Sequence, residues 1–290
     1  MNFKISLIVL LISTVISCEF NKSVNKDLIT GLVTKGDELS CESVYLSDGL
    51  DKINRSSFVY GEKIYLNFND IDGFTKDGDN AFPGLQLLVL GMNRDTVMYN
   101  NDLYKNNRDG FDISPLLLQS NITVAKPIHS GNEYTLFVSI WDKKGKGTYK
   151  AEMDFDVISN NQIKVENNSI SYAEIYLFSQ ERNAVITGNE AKFDENIFMI
   201  FEGLEGFSIE DGKAAIGLSI KGKDSEGKVI LNEDDLIGDL SIVASELKNR
   251  LAPNFIFSGS DIKNPVTCEV TIWDKRSDNR IKALIALNIK

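Results

Sequence analysis

Few side chains in this sequence are spaced for chemistry, and the densest group is acidic. Asp70, Asp72, Asp77 and Asp79 fall within Asn69-Asp70-Ile71-Asp72-Gly73-Phe74-Thr75-Lys76-Asp77-Gly78-Asp79-Asn80. Calcium takes about six to eight oxygens, and these carboxylates in a glycine-bearing loop could supply much of that shell. The spacing is not that of an EF-hand, which needs acids at alternate positions before a glycine and a glutamate at the twelfth. A solvated polar loop is the plainer reading, so calcium stands as a conditional expectation confined to this loop.

His129 is the only histidine and lies in Pro127-Ile128-His129-Ser130-Gly131. A single imidazole excludes a two-histidine zinc motif and leaves one base for a Ser-His-Asp triad. No Gly-x-Ser-x-Gly accompanies it and no Gly-Lys-Ser/Thr follows a strand, so no catalytic residue is assigned and His129 reads as an exposed loop residue. Paired carboxylates of the glycosidase kind leave no local signature, because any two acids can meet in space. Trp141 and Trp273 end their strands on the side opposite the apolar residues. There an indole is either a platform for a sugar ring or protein partner, or, as favoured here, a cover for the end of the core.

The elements that must position these residues come in two copies. Shifted by about 132 residues, Ile140-Trp141-Asp142-Lys143 falls on Ile272-Trp273-Asp274-Lys275. Upstream, Gly61 to Tyr104 aligns without a gap onto Asp194 to Ile237, with 10 of 44 positions identical. The second copy has Gly203 and Gly212 where Asp70 and Asp79 fall, which is why any calcium site would be confined to the first.

Within each copy the apolar period is mostly two, the spacing that puts alternate side chains of a strand on one face. Leu136, Val138 and Ile140 lead through a polar, glycine-bearing connection at 142–147 to Ala151, Met153, Phe155 and Val157, a hairpin pattern. Further strands are predicted at 42–46, 62–69, 84–90 and 95–99. Helix is scarce: Ser114-Pro115-Leu116-Leu117 offers a cap with proline at the first helical position, and 245–251 could make about two turns before Pro253. These patterns predict an all-β chain of two tandem antiparallel sandwiches arising from an internal duplication. The closing Val-x-Ile-Trp-Asp hairpin resembles the last hairpin of bacterial immunoglobulin-like envelope modules, a likeness that implies a fold and not a ligand.

Residues 1–17 carry Lys4 and an apolar run from Ile5 to Ile16, too short for a membrane-spanning helix, which is the anatomy of a cleaved export signal. The run ends in Val15-Ile16-Ser17-Cys18, which resembles the lipobox of bacterial lipoproteins. That resemblance implies a diacylglycerol thioether on Cys18 and commonly an acyl chain on the freed amine, together enough to hold a protein on a membrane. The expected organisation is a signal at 1–17, a lipidated tether at 18–27 and repeats at 28–158 and 162–290, joined by Ser159-Asn160-Asn161.

No later stretch has the ~20 apolar residues of a membrane helix, so the mature part is expected to be soluble and tethered. Losing Lys4 with the signal takes the formal charge from −11 to −12, with 30 basic against 42 acidic residues. Such a balance disfavours nucleic acid as a partner. Cys41 and Cys268 lie in different copies and are expected as two separate thiols rather than a bridge. The function classes left open are a membrane-anchored envelope module binding a protein or glycan, which is preferred, an envelope glycan hydrolase using paired carboxylates, and a structural or protective lipoprotein.

Overall fold

The computed structural model describes residues 22–259 and 261–290. The signal, Cys18 and the first part of the tether lie outside the described residues. The first module runs through β1 (Lys22–Lys26), β2 (Val33–Asp37), β3 (Ser40–Ser47), β4 (Lys52–Ile53), β5 (Ser57–Val59), β6 (Lys63–Asp72), β7 (Pro83–Gly91), β8 (Thr96–Asn100), β9 (Leu118–Thr123), β10 (Asn132–Asp142) and β11 (Thr148–Ile158). One sheet has the order β1-β2-β11-β10-β7-β8 and the other β4-β3-β6-β9. Short β5 lies parallel to the end of β11.

The second module repeats the plan. It comprises β12 (Lys164–Asn168), β13 (Glu174–Ser179), β14 (Ala184–Ile186), β15 (Glu190–Ala191), β16 (Ile197–Glu202), β17 (Ile209–Glu210), β18 (Lys213–Lys223), β19 (Val229–Glu233), β20 (Ser241–Val243), α1 (Ala244–Asn249), β21 (Asn254–Phe255), β22 (Val266–Asp274) and β23 (Arg280–Ile289). Its larger sheet pairs β12-β23-β22-β18 with β19 on the far side of β18, and its smaller sheet is β14-β13-β16-β21. β15 lies parallel to the end of β23, as β5 does to β11. The orders β2-β11-β10-β7-β8 and β4-β3-β6-β9 match β12-β23-β22-β18-β19 and β14-β13-β16-β21, while β1 belongs to the first module alone and β17, β20 and α1 to the second, and the all-β, duplicated sandwich read from the sequence is the observed fold.

Burial follows the period of two. In β11 Tyr149, Ala151, Met153, Phe155 and Val157 are buried while the residues between them face water. β23 alternates likewise through Ile281, Ala283, Ile285, Leu287 and Ile289, relaxing only at its less exposed outer positions. Each module closes its own apolar core, centred on residues such as Phe68 and Phe155 in one and Phe201 and Ile272 in the other. The connecting Asn160 is buried and donates from Nδ2 to the carbonyl of Ile186 at 2.9 Å, so the link is fixed onto the second module.

Two expectations need correction. Ser114-Pro115-Leu116-Leu117 makes bends and no helix. Leu116, Leu118 and Ser120 are buried while Leu117 is exposed, so the period of two that fills the core prevails over the helix-start signal. The tether is also shorter than 18–27, because Lys22–Lys26 is strand β1. Asp27 Oδ1 accepts the amides of Ile29 and Thr30 at 2.8 and 2.9 Å, turning the chain so that β1 pairs with β2. All five β1 side chains are exposed, so backbone pairing holds it and no apolar alternation betrays it. The helix expected at 245–251 is present as α1, and among the described residues no helix is long and apolar enough to cross a membrane.

Phe68 and Phe201 occupy aligned positions and are both fully buried. Phe68→Ala and Phe201→Ala should each cost about 3–5 kcal/mol, measured by urea unfolding. A large cost for one and none for the other would contradict equivalent cores.

Candidate functional site

The repeated Ile-Trp-Asp-Lys run closes each sandwich. Ile140 and Ile272 are core residues. Trp141 and Trp273, half-buried, sit in register with Gly84 on β7 and Gly217 on β18. Each indole lies on its glycine so closely that a Cβ added there would come within 2.1 Å of Trp141 and 2.0 Å of Trp273. The paired glycines of the repeat are thus explained by the paired tryptophans.

The aspartates that follow are almost completely buried, 5% exposed at Asp142 and 1% at Asp274. Asp142 accepts the amide of Thr75 at 2.7 Å and that of Lys144 at 2.9 Å. Asp274 accepts the amide of Ser208 at 2.8 Å and that of Arg276 at 3.0 Å. The bonds to Thr75 and Ser208 tie the final hairpin to the loop that leaves the opposite sheet. Lys143 then pairs with Asp102 at 2.7 Å and Lys275 with Asp235 at 2.6 Å. Asp102 and Asp235 also accept the amides of Leu85 and Leu218, each at 3.2 Å. They are aligned identities of the repeat, so this pair was legible in the sequence although it was not singled out.

Burial alone would push Asp102, Asp235 and Asp274 up, but their partners outweigh it. Lys143 and two amides hold Asp102 below its ordinary value, Lys275 and three amides hold Asp235 there, and Ser208, Arg276 and Ser277 hold Asp274 there. Glu195, 2% exposed, is likewise held down against burial by Ser179, Lys192 and Arg182. Its aligned counterpart Glu62 is pushed up by burial despite its bidentate contact with Arg55 at 3.0 and 2.8 Å.

The outer face of the larger sheet of module two carries two adjoining open depressions of about 440 and 460 Å³. Cross-strand pairing lays out their floor: Asn168, Arg280, Trp273 and Gly217 form one row, and Glu166, Lys282, Thr271 and Ser219 the next. Lys282 meets Glu166 at 2.6 Å. The corresponding rows of module one are Asp37, Thr148, Trp141, Gly84 and Lys35, Lys150, Ser139, Gln86. Trp, Gly and the core persist between copies while the polar outer face has diverged.

The modules touch through two neighbouring carboxylates of module two. Glu174 and Glu202 are cross-strand partners on β13 and β16. Glu174 is buried and accepts both the amide and the hydroxyl of Ser130, at 2.9 and 2.7 Å. Glu202 accepts the Tyr60 hydroxyl at 2.9 Å and the Tyr176 hydroxyl at 2.8 Å. Burial, with Glu202 alongside, pushes both phenols well above the usual tyrosine range. Sequence reasoning had no access to this junction, since Tyr60 and Glu202 are 142 residues apart.

Of the residues singled out from sequence, Asp70 and Asp72 end β6, whereas Asp77 and Asp79 lie in the exposed loop beyond it, Asp77 paired with Lys144 at 3.2 Å. The structure does not gather them, and among the described residues no group of three or more His, Cys, Asp or Glu is placed to hold a metal. Asp70 has a left-handed φ of 50°, and Gly203, aligned with it, has 70°; Gly78 and its counterpart Asp211 have 63° and 49°. Aspartate and glycine are among the residues that tolerate this conformation, so their exchange between copies has a backbone reason. His129 is half exposed, with Nδ1 3.7 Å from Glu174. Cys41 and Cys268 are free thiols, pushed by burial to about 11 and about 12.

No family model and no curated protein matches the chain. Solved structures with a related arrangement include latent dimeric PorU from Porphyromonas gingivalis, at 10% identity and TM-score 0.27 over 87% of this chain and 20% of that one. A β-glucuronidase from Bacteroides uniformis matches at 9% identity and TM-score 0.27, over 78% of this chain and 26% of that one. The three N-terminal domains of the Highly Immunogenic Outer Capsid protein of bacteriophage RB49 match at 10% identity and TM-score 0.22, over 89% and 77%. At these identities and TM-scores the likeness carries no argument.

Two expected outcomes follow from the closing motif and its carboxylates. Gly84→Ala and Gly217→Ala should each destabilise by about 1–3 kcal/mol through overpacking against the indole, read by denaturant unfolding, and neutral substitutions would refute the stacking. The second concerns acid. Unfolded, Asp102, Asp235, Asp274 and Glu195 would take up protons near pH ~4, but folded they do so only at lower pH. The stability they contribute is therefore present above that range and lost as pH falls through their depressed values, with Glu62 acting in the opposite sense. Calorimetry should show Tm dropping as pH falls through the carboxylate range, and an unchanged Tm would contradict it.

Proposed function

We propose that the chain is a cell-envelope lipoprotein, anchored through a lipidated Cys18, that acts as a binding module for a protein or glycan partner. The observation that carries this reading is the junction of anchor and fold. The apolar run ends in Val15-Ile16-Ser17-Cys18, and after three intervening residues the chain is already in β1. Beyond it stand two sandwiches joined through the carboxylate contacts of Glu174 and Glu202, a body suited to presenting sheet faces, edges and loops from a surface. The groove on module two supports a polar ligand, since Asn168, Thr271, Arg280 and Lys282 offer hydrogen-bonding groups beside the half-buried Trp273 indole.

A second reading, a glycan hydrolase, draws on Glu166 and Glu269, which line the same groove. β23 lies between their strands, and two strand spacings put the backbones about 10 Å apart. Both carboxylates are already engaged, Glu166 by Lys282 at 2.6 Å and Glu269 by the Thr271 hydroxyl at 3.3 Å. Binding without turnover is the better supported reading, and a purely structural or protective role would share its anchor.

Cys18→Ala should abolish incorporation of labelled palmitate and leave the precursor unprocessed or the protein released, whereas unchanged labelling would remove the anchor. The purified chain should be retained saturably by isolated envelope polysaccharide or envelope protein without liberating sugars or peptides. Liberation that is lost in Glu166→Gln or Glu269→Gln would establish the hydrolase instead.

A further inference from the structure

The pairing of β1 fixes where the chain leaves the first module. Lys22 is in register with Asp37, Asp37 with Thr148, and Thr148 with Trp141. This row crosses the sheet beside the β10–β11 hairpin. β1 is antiparallel to β2, so its first residue, Lys22, stands at that same end, four peptide links from Cys18. Those links reach at most ~14 Å at ~3.3–3.6 Å per residue. β11 runs the other way, from Thr148 to Ile158, and delivers the chain to module two about 33 Å off at ~3.3 Å per residue.

Resting on the lipid anchor proposed above, we propose that this end of module one, formed by the 143–147 hairpin and the 73–80 loop, lies against the lipid headgroups, with module two carried away from the bilayer. A tether this short cannot let the sheet turn its other end to the membrane. Hairpin and loop are held together as one surface, through the Thr75 amide on Asp142 at 2.7 Å and Lys144 on Asp77 at 3.2 Å. Much of the charge there is internally matched, since Lys22 meets Asp37 at 3.4 Å and Lys143 meets Asp102 at 2.7 Å. Lys76 and Lys146 are exposed and make no ion pair among the described residues, which leaves them for lipid phosphates. Glu38, Asp72 and Asp79 are exposed at the same end. The mixture fits a zwitterionic headgroup layer rather than a strongly anionic one.

The test uses the acylated full chain in phosphatidylcholine vesicles containing a headgroup nitroxide lipid. An environment-sensitive fluorophore is placed by Lys146→Cys or Lys76→Cys at the proposed face, and by Glu133→Cys at the opposite end of the same sheet. Labelling of the unsubstituted chain gives the background from Cys41 and Cys268. The expected result is loss of fluorescence at positions 146 and 76 with fluorescence at 133 retained. Equal loss at all three positions, or greater loss at 133, would overturn the orientation. Flotation separates the two levels: an unsubstituted chain that does not float with vesicles removes the anchor and this proposal with it, whereas one that floats but shows the wrong quenching pattern overturns the orientation alone.

Discussion

A buried carboxylate at the mouth of each closing hairpin is the constraint on which the rest of the molecule leans. Two sheets packed face to face are held by their apolar sides, an attraction without direction that would tolerate small slips of one sheet over the other. Asp142 and Asp274 supply the direction. Each sits on the last residue of a central strand and accepts a backbone amide from the loop leaving the other sheet, at 2.7 Å from Thr75 and 2.8 Å from Ser208. A carboxylate this deeply buried and left without its donors would cost at least about 1–3 kcal/mol. The tryptophan before the aspartate and the lysine after it fasten the same corner to β7 or β18 and to the loop of Asp102 or Asp235.

That corner explains what persisted after duplication and what was free to change. Core, stacked indole, buried aspartate and paired lysine recur in both modules, while the outward rows diverged from Lys35, Lys150, Ser139 and Gln86 to Glu166, Lys282, Thr271 and Ser219. Duplication therefore yields two frames with different faces. The frames are joined by Glu174 and Glu202, which accept hydrogen bonds from Ser130 and Tyr60 of module one. Charged acceptors make these contacts stronger than neutral ones, and they resist independent motion of the modules better than the short link alone would.

Much of this frame was readable before any coordinates. The alternation in β10, β11, β22 and β23 gave faces as well as strands, because every second residue must be apolar to fill a core. The repeat aligned Gly84 with Gly217 and Trp141 with Trp273, although only the structure reveals that each glycine is needed for its indole. Local signals misled at Ser114-Pro115, where cap chemistry spoke for a helix and Leu116 and Leu118 required extension. β1 was invisible because five exposed side chains carry no burial pattern. The Glu202 junction was invisible for a different reason: its partners are brought together only by docking of the finished modules. The aspartates of 70–79 attracted attention by density, yet Asp70 occupies a left-handed position that its counterpart fills with glycine.

Hydrogen exchange of the Thr75 and Ser208 amides tests the closing carboxylates most directly. Both amides belong to loops, where exchange is ordinarily fast. Because each is bonded to a carboxylate that is almost fully buried, protection close to that of core strand amides is expected at both, falling together in each module when its aspartate is changed to alanine. Exchange of either amide at free-loop rates in the unsubstituted protein would contradict the claim that these carboxylates lock the sheets.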